Sequence, residues 1–151
     1  MNQQNYTCTI TAAMLPGEVI SCIEKVSQWW TARFEGHSEK LDDVFTVRFG
    51  ETFVTFEVIE AVGLQKRSWK VADCYLHWLK DPLEWKNTTL CWELVSVGAS
   101  TQVTFTHLGL VSGIECYNDC VKGWDFYIGT SLFKLITEGK GMPETPKAIR
   151  Q

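Results

Sequence analysis

Apolar and polar residues alternate along most of this chain, and the alternation predicts strands. From Tyr6 to Ala13, Thr7, Thr9 and Thr11 alternate with Cys8 and Ile10. Phe45, Val47 and Phe49 alternate with Thr46 and Arg48, and a Gly50-Glu51 turn leads to Val54, Phe56 and Val58, interleaved with Thr55 and Glu57. A turn at Gly63-Leu64 precedes Trp69 and Val71, which alternate with Lys70 and Ala72. Residues 73–87, with Pro82 and the rings of Tyr75, Trp78 and Trp85, read as irregular. Leu90, Trp92 and Leu94 alternate with Cys91 and Glu93; after a Gly98-Ala99-Ser100 turn, Val103, Phe105 and His107 alternate with Thr104 and Thr106. Each run has one apolar face. By this parity Trp69, Trp92, Phe105 and His107 point inward.

Helical periods occur in two places. Pro16 suits the first position of a short helix, since its missing N–H is no loss there, and Val19, Ile20 and Ile23 give that helix an apolar stripe. A second short helical piece runs to Trp29 and Trp30, with Gly36 in the loop beyond. Near the C-terminus, Tyr117, Val121, Trp124, Ile128, Leu132, Leu135 and Ile136 form one long stripe. Ser112 with Glu115 has the capping-box spacing, so the helix starts there or at Tyr117. Gly139, Gly141 and Pro143 end it, and residues 143–151 read as a flexible tail after a single domain over residues 1–142. The class is therefore α+β: about six antiparallel strands, two short helices after the first of them, and one long C-terminal helix. A sheet with one apolar face must be covered, and only one long helix is available. One helix does not fill the hollow of a curled sheet, so an apolar cavity is expected between them.

The composition narrows the partners. With 151 residues and 45% hydrophobic content the chain suits one globular domain with a real core. A net charge of −4 and a pI near 5.4 imply no basic face, so nucleic acid is not an expected partner. No apolar run approaches the roughly 18 residues that span a bilayer, so no membrane partner is expected either. The N-terminal MNQQNYTCTI lacks the features of a signal peptide. A cytoplasmic location follows, and with it free thiols at Cys8, Cys22, Cys74, Cys91, Cys116 and Cys120.

Several segments carry a family resemblance. They are Trp29-Trp30; Trp69-Lys70-Val71 with Asp73 and Tyr75-Leu76; Glu84-Trp85 with Thr88; Phe105-Thr106-His107 with Gly109-Leu110; Glu115-Cys116-Tyr117 with Cys120; Gly123-Trp124 with Tyr127-Ile128; Ser131-Leu132; and Gly139-Lys140-Gly141 with Pro143. In these the chain resembles the SRPBCC superfamily, also called START-like or birch-pollen-allergen-like. Within it, the chain is similar to proteins named after the C-terminal domain of the activator of the heat-shock-protein-90 ATPase. The resemblance implies the helix-grip fold. It implies less about activity, because the superfamily includes lipid carriers, hormone receptors, aromatic cyclases and co-chaperones. The chain carries a single module, which argues against heat-shock-protein-90 binding.

The expected function is non-enzymatic binding of a small apolar or aromatic molecule. The alternatives are a protein-interaction module related to co-chaperones, and a cyclase-like or hydrolase-like enzyme. Trp69, Tyr75, Trp92, Phe105, His107, Trp124, Asp125 and Ile128 are the cavity candidates, with His107 and Asp125 as the polar groups that orient a ligand. No catalytic residue and no cofactor is expected: no GxGxxG, P-loop, GxSxG or HExxH motif occurs. Cys116-x3-Cys120 with His107 has soft-ligand chemistry, but a structural zinc site usually has a second ligand pair, so packing is the preferred reading and no metal is expected. Cys116, His107 and Asp125 carry the residue types of a nucleophilic triad, but nothing in their spacing brings them together. Phe126 and Phe133 share a helix face away from the main stripe. They are either covered by a neighbouring loop or helix, or form the contact of a homodimer.

Overall fold

The alternating runs pair into one antiparallel sheet. A computed structural model describes residues 4–144. Its strands are β1 (Tyr6–Ala12), β2 (Phe34–Gly36), β3 (Val44–Phe49), β4 (Thr52–Val62), β5 (Lys66–Tyr75), β6 (Thr89–Val97) and β7 (Ser100–Leu108). Their order across the sheet is β1-β7-β6-β5-β4-β3-β2. There are thus seven strands where the sequence pattern gave about six. The added one, β2, is too short for a period to show. It ends on Gly36, which is a strand residue and not a loop residue: at φ 104, a Cβ there would meet the Val44 carbonyl oxygen at 2.3 Å.

β4 and β5 bend the sheet. Their register shifts between Thr55 and Phe56, and again between Val58 and Glu60. Such bulges bend a strand and increase its twist, and here they help curl the sheet. They also carry β5 further than alternation implied. Asp73 and Cys74 pair with Thr55 and Val54, so the irregular segment begins only after Tyr75.

The helices close the concave side. α1 (Pro16–Glu24) opens on Pro16, and α2 (Val26–Trp29) follows. The long C-terminal helix has three parts: α3 (Tyr117–Phe126), a π-helical segment (Tyr127–Leu132) and α4 (Phe133–Glu138). The wider segment has a sequence cause. Trp124, Ile128, Leu132 and Ile136 lie four apart, and at 3.6 residues per turn each such step drifts about 40° round the helix. A local π-turn removes some of that drift, and all four side chains are buried. Gly139 ends the helix in the left-handed conformation, at φ 83.

The helix begins at Tyr117, not at the Ser112–Glu115 box. Glu115 is engaged elsewhere: its carboxylate accepts the backbone N–H of Lys80 and of Asp81. In its place Glu84 reaches across and accepts the N–H groups of Glu115 and Cys116, at 2.8 and 3.0 Å. Of the expected tail, Pro143 and Glu144 are described. Glu144 exchanges two 2.8 Å hydrogen bonds with the backbone of Trp30 and Ala32. Residues 145–151 lie outside the described part. No helix among the described residues is long and apolar enough to cross a membrane.

Candidate functional site

One polar group sits at the centre of the core. His107, on the inner face of β7, is fully buried. The Trp124 indole N–H donates to its Nδ1 at 3.1 Å. An indole nitrogen only donates, so Nδ1 is the acceptor and the proton sits on Nε2, 3.0 Å from the Thr88 hydroxyl oxygen. The Thr88 hydroxyl in turn donates to the Trp85 carbonyl at 2.7 Å. Burial pushes the His107 pKa down to about 3, so the ring is neutral.

A second cluster lies one helical turn away. Cys116 is fully buried and its Sγ accepts the Trp85 indole N–H at 3.2 Å. The neighbouring Cys116 and burial raise the Cys120 pKa, so its thiol stays protonated. His107 takes no part in this pair, and no group of three or more His, Cys, Asp or Glu among the described residues is placed to hold a metal. All six cysteines have free thiols. Asp125 lies on yet another side of α3, where its Oδ1 accepts the Tyr6 hydroxyl at 2.5 Å. Burial, with Asp125 adding to it, strongly raises the Tyr6 pKa.

Beside these groups an apolar cavity of about 230 Å³ opens between the β3–β4 hairpin, the 76–85 loop and α3. Six aromatic side chains line it: Trp30, Phe49, Trp78, Trp85, Trp124 and Tyr127. Thr52, Val54, Leu76, Asp119, Cys120 and Gly123 complete the wall. The rings form a chain, with centres 6.4 Å apart from Tyr127 to Phe49, 5.7 Å from Phe49 to Trp30, 4.9 Å from Trp30 to Trp124 and 5.9 Å from Trp124 to Trp85. Trp78 is half-exposed. Burial pushes the Tyr127 pKa up to about 12, and the nearby Glu144 carboxylate adds to the shift.

No protein-family model and no curated protein matches the sequence. Solved structures do match the architecture. The solution structure of the Aha1 dimer from Colwellia psychrerythraea has a TM-score of 0.75 at 21% identity, covering 91% of this chain and 98% of that one. The chain has a helix-grip α+β fold. DynU16, a protein of the dynemicin biosynthetic locus, shares that fold with a TM-score of 0.68 at 17% identity; the match covers 93% of this chain and 49% of DynU16. The protein MLL2253 from Mesorhizobium loti matches at 0.65 and 11% identity, over 91% of this chain and 100% of that one. These identities show the fold alone.

Most of the hollow of this helix-grip fold is filled by the chain itself. Trp69, Trp92, Phe105 and Ile128 are fully buried, and none of them lines the cavity. Trp69, Trp92 and Phe105 pack with Trp29, Phe45 and Phe56 in a continuous aromatic layer. Within it the indole N–H groups of Trp69 and Trp92 have no hydrogen-bond partner among the described residues. Tyr75 is 39% exposed and stacks on Phe53, away from the cavity. His107 and Asp125 do not line it either. Of the eight residues expected from the sequence, Trp124 is the one that does. Phe133 packs against the core while Phe126 is 40% exposed. Strand and helix phase identify inward residues but not where along the hollow a gap remains. The composition of the irregular 73–87 segment, with three large rings, was the available signal for the cavity's Trp78 and Trp85.

Proposed function

We propose that the protein binds a small apolar or aromatic molecule in the cavity bounded by Trp30, Phe49, Trp78, Trp85, Trp124 and Tyr127. The aromatic lining is the observation that carries this reading: six rings border space that the chain's own side chains leave open. The volume of about 230 Å³ falls below the roughly 300–1,000 Å³ of a drug-sized site, so the ligand is compact. The buried polar groups nearest the cavity are engaged with one another, which favours binding over chemistry.

Gly123 offers a direct test. It lines the cavity, and a Cβ added there meets nothing within 4 Å. Gly123→Leu therefore adds a side chain at the cavity wall, where its Cβ meets no neighbour. Titration with tert-butylbenzene, followed by tryptophan emission, should saturate for the parent and weaken about tenfold or more in Gly123→Leu, a loss of about 1.4 kcal/mol. Equal affinity in both proteins would place the ligand elsewhere.

A second reading, protein interaction, rests on a different surface. Val62, Leu64 and Val95 are exposed around one depression beside Pro16 and Leu94, at the β4–β5 turn. The similar Colwellia psychrerythraea protein was solved as a dimer. Self-association through this surface is the form of that reading with most support.

A further inference from the structure

Two of the indole donors around the cavity are turned away from it. The Trp85 indole N–H goes to Cys116 and that of Trp124 to His107. What these two residues present to the cavity is therefore π-face. No Lys or Arg lines it, and the one carboxylate in its wall is that of Asp119, in the first turn of α3. Asp119 has no salt bridge or side-chain hydrogen bond among the described residues.

We infer that the ligand is a small organic cation, an ammonium centre bearing an aryl or compact alkyl group, with its charge between the ring faces and Asp119. This inference rests on the cavity being the binding site. Aromatic faces carry negative potential and attract a cation within about 6 Å of the ring centre, tryptophan most strongly. Four of the six lining rings are tryptophans. An anion entering here would meet Asp119 and find few donors. A neutral polar ligand would lose its hydrogen bonds to water and regain little. A cation keeps a favourable partner on each side: the ring faces within and the carboxylate at the wall. The net charge of −4 adds a weak attraction at longer range.

The test compares phenyltrimethylammonium with its uncharged isostere, tert-butylbenzene, and with benzoate, all by tryptophan emission at low and high salt. If the rings act only as apolar wall, tert-butylbenzene binds best, because the cation must shed water. The expected result is the reverse. Phenyltrimethylammonium binds about tenfold more tightly than tert-butylbenzene, and benzoate does not compete. Asp119→Asn raises the Kd of the cation about three- to tenfold, several times more than it changes that of tert-butylbenzene, and salt weakens the cation alone. Asp119 is exposed, so the variant should fold like the parent; thermal unfolding checks this. If tert-butylbenzene binds as well as the cation, and Gly123→Leu weakens it about tenfold or more, the cation inference fails while the cavity reading stands. An unchanged cation affinity in Asp119→Asn also overturns the inference. If neither probe binds the parent, both fall.

Discussion

Between Trp124 and Thr88, His107 has one nitrogen that must accept and one that must donate. Both needs are met only by the neutral ring, and burial pushes the pKa from 6.5 down to about 3. The consequence for stability has a definite sign. Between those two values the unfolded chain binds the proton and the folded one does not, so stability falls as pH drops from about 6.5 towards 3. One such group contributes a slope of up to about 1.4 kcal/mol per pH unit. His107→Gln keeps an acceptor and a donor but removes the titration. Urea unfolding at pH 7, 6, 5 and 4 should show a flatter decline for this variant than for the parent. Parallel curves would mean that His107 is accessible to protons in the folded state. The inward direction of His107 was legible from strand parity. Its partners were not, because Thr88 and Trp124 come from other parts of the chain. The same holds for Asp125, whose partner Tyr6 lies 119 residues away.

Strands and helices were legible where a period runs for five residues or more. β1, β3, β6 and β7 follow their alternation, and α1 starts at its proline. What escaped were local choices settled by distant contacts: β2, held only by β3, and the α3 start, set by Glu84 and by the loop that engages Glu115. The π-helical segment was latent in the four-residue spacing of the stripe. Within it, Gly129 is exposed, and a Cβ there meets nothing within 4 Å. Glycine in a helix interior costs about 1 kcal/mol relative to alanine. Gly129→Ala should therefore stabilise the protein by about 0.5–1 kcal/mol, raising Tm by about 1–4 °C in calorimetry. A lowered Tm would show that the wide turn needs glycine's freedom.

For the molecule as a whole, the cavity and the exposed apolar surface lie on different parts of the fold, so binding and self-association are separable. If the surface around Val62, Leu64 and Val95 mediates self-association, sedimentation velocity should show a concentration-dependent dimer. Leu64→Lys with Val95→Lys should return it to monomer while leaving tert-butylbenzene affinity unchanged. A monomer at every concentration in the parent would remove the interaction reading. The architecture was legible from element order, but the extent to which the hollow is filled was not, since ring packing depends on bulges and loop paths. The pairing of β1 with β7 has a further, kinetic consequence. Tyr6 pairs with His107 and Ala12 with Thr101, across almost the whole sheet-forming chain. The hairpins from β3 to β5 and from β6 to β7 close over short loops, whereas β1 must wait for a partner made last. This is high contact order, in which loop-closure entropy is spent before the reward arrives. On the ribosome β1 therefore emerges first and is seated late, and the rest of the sheet and its tryptophans wait for the closing strand.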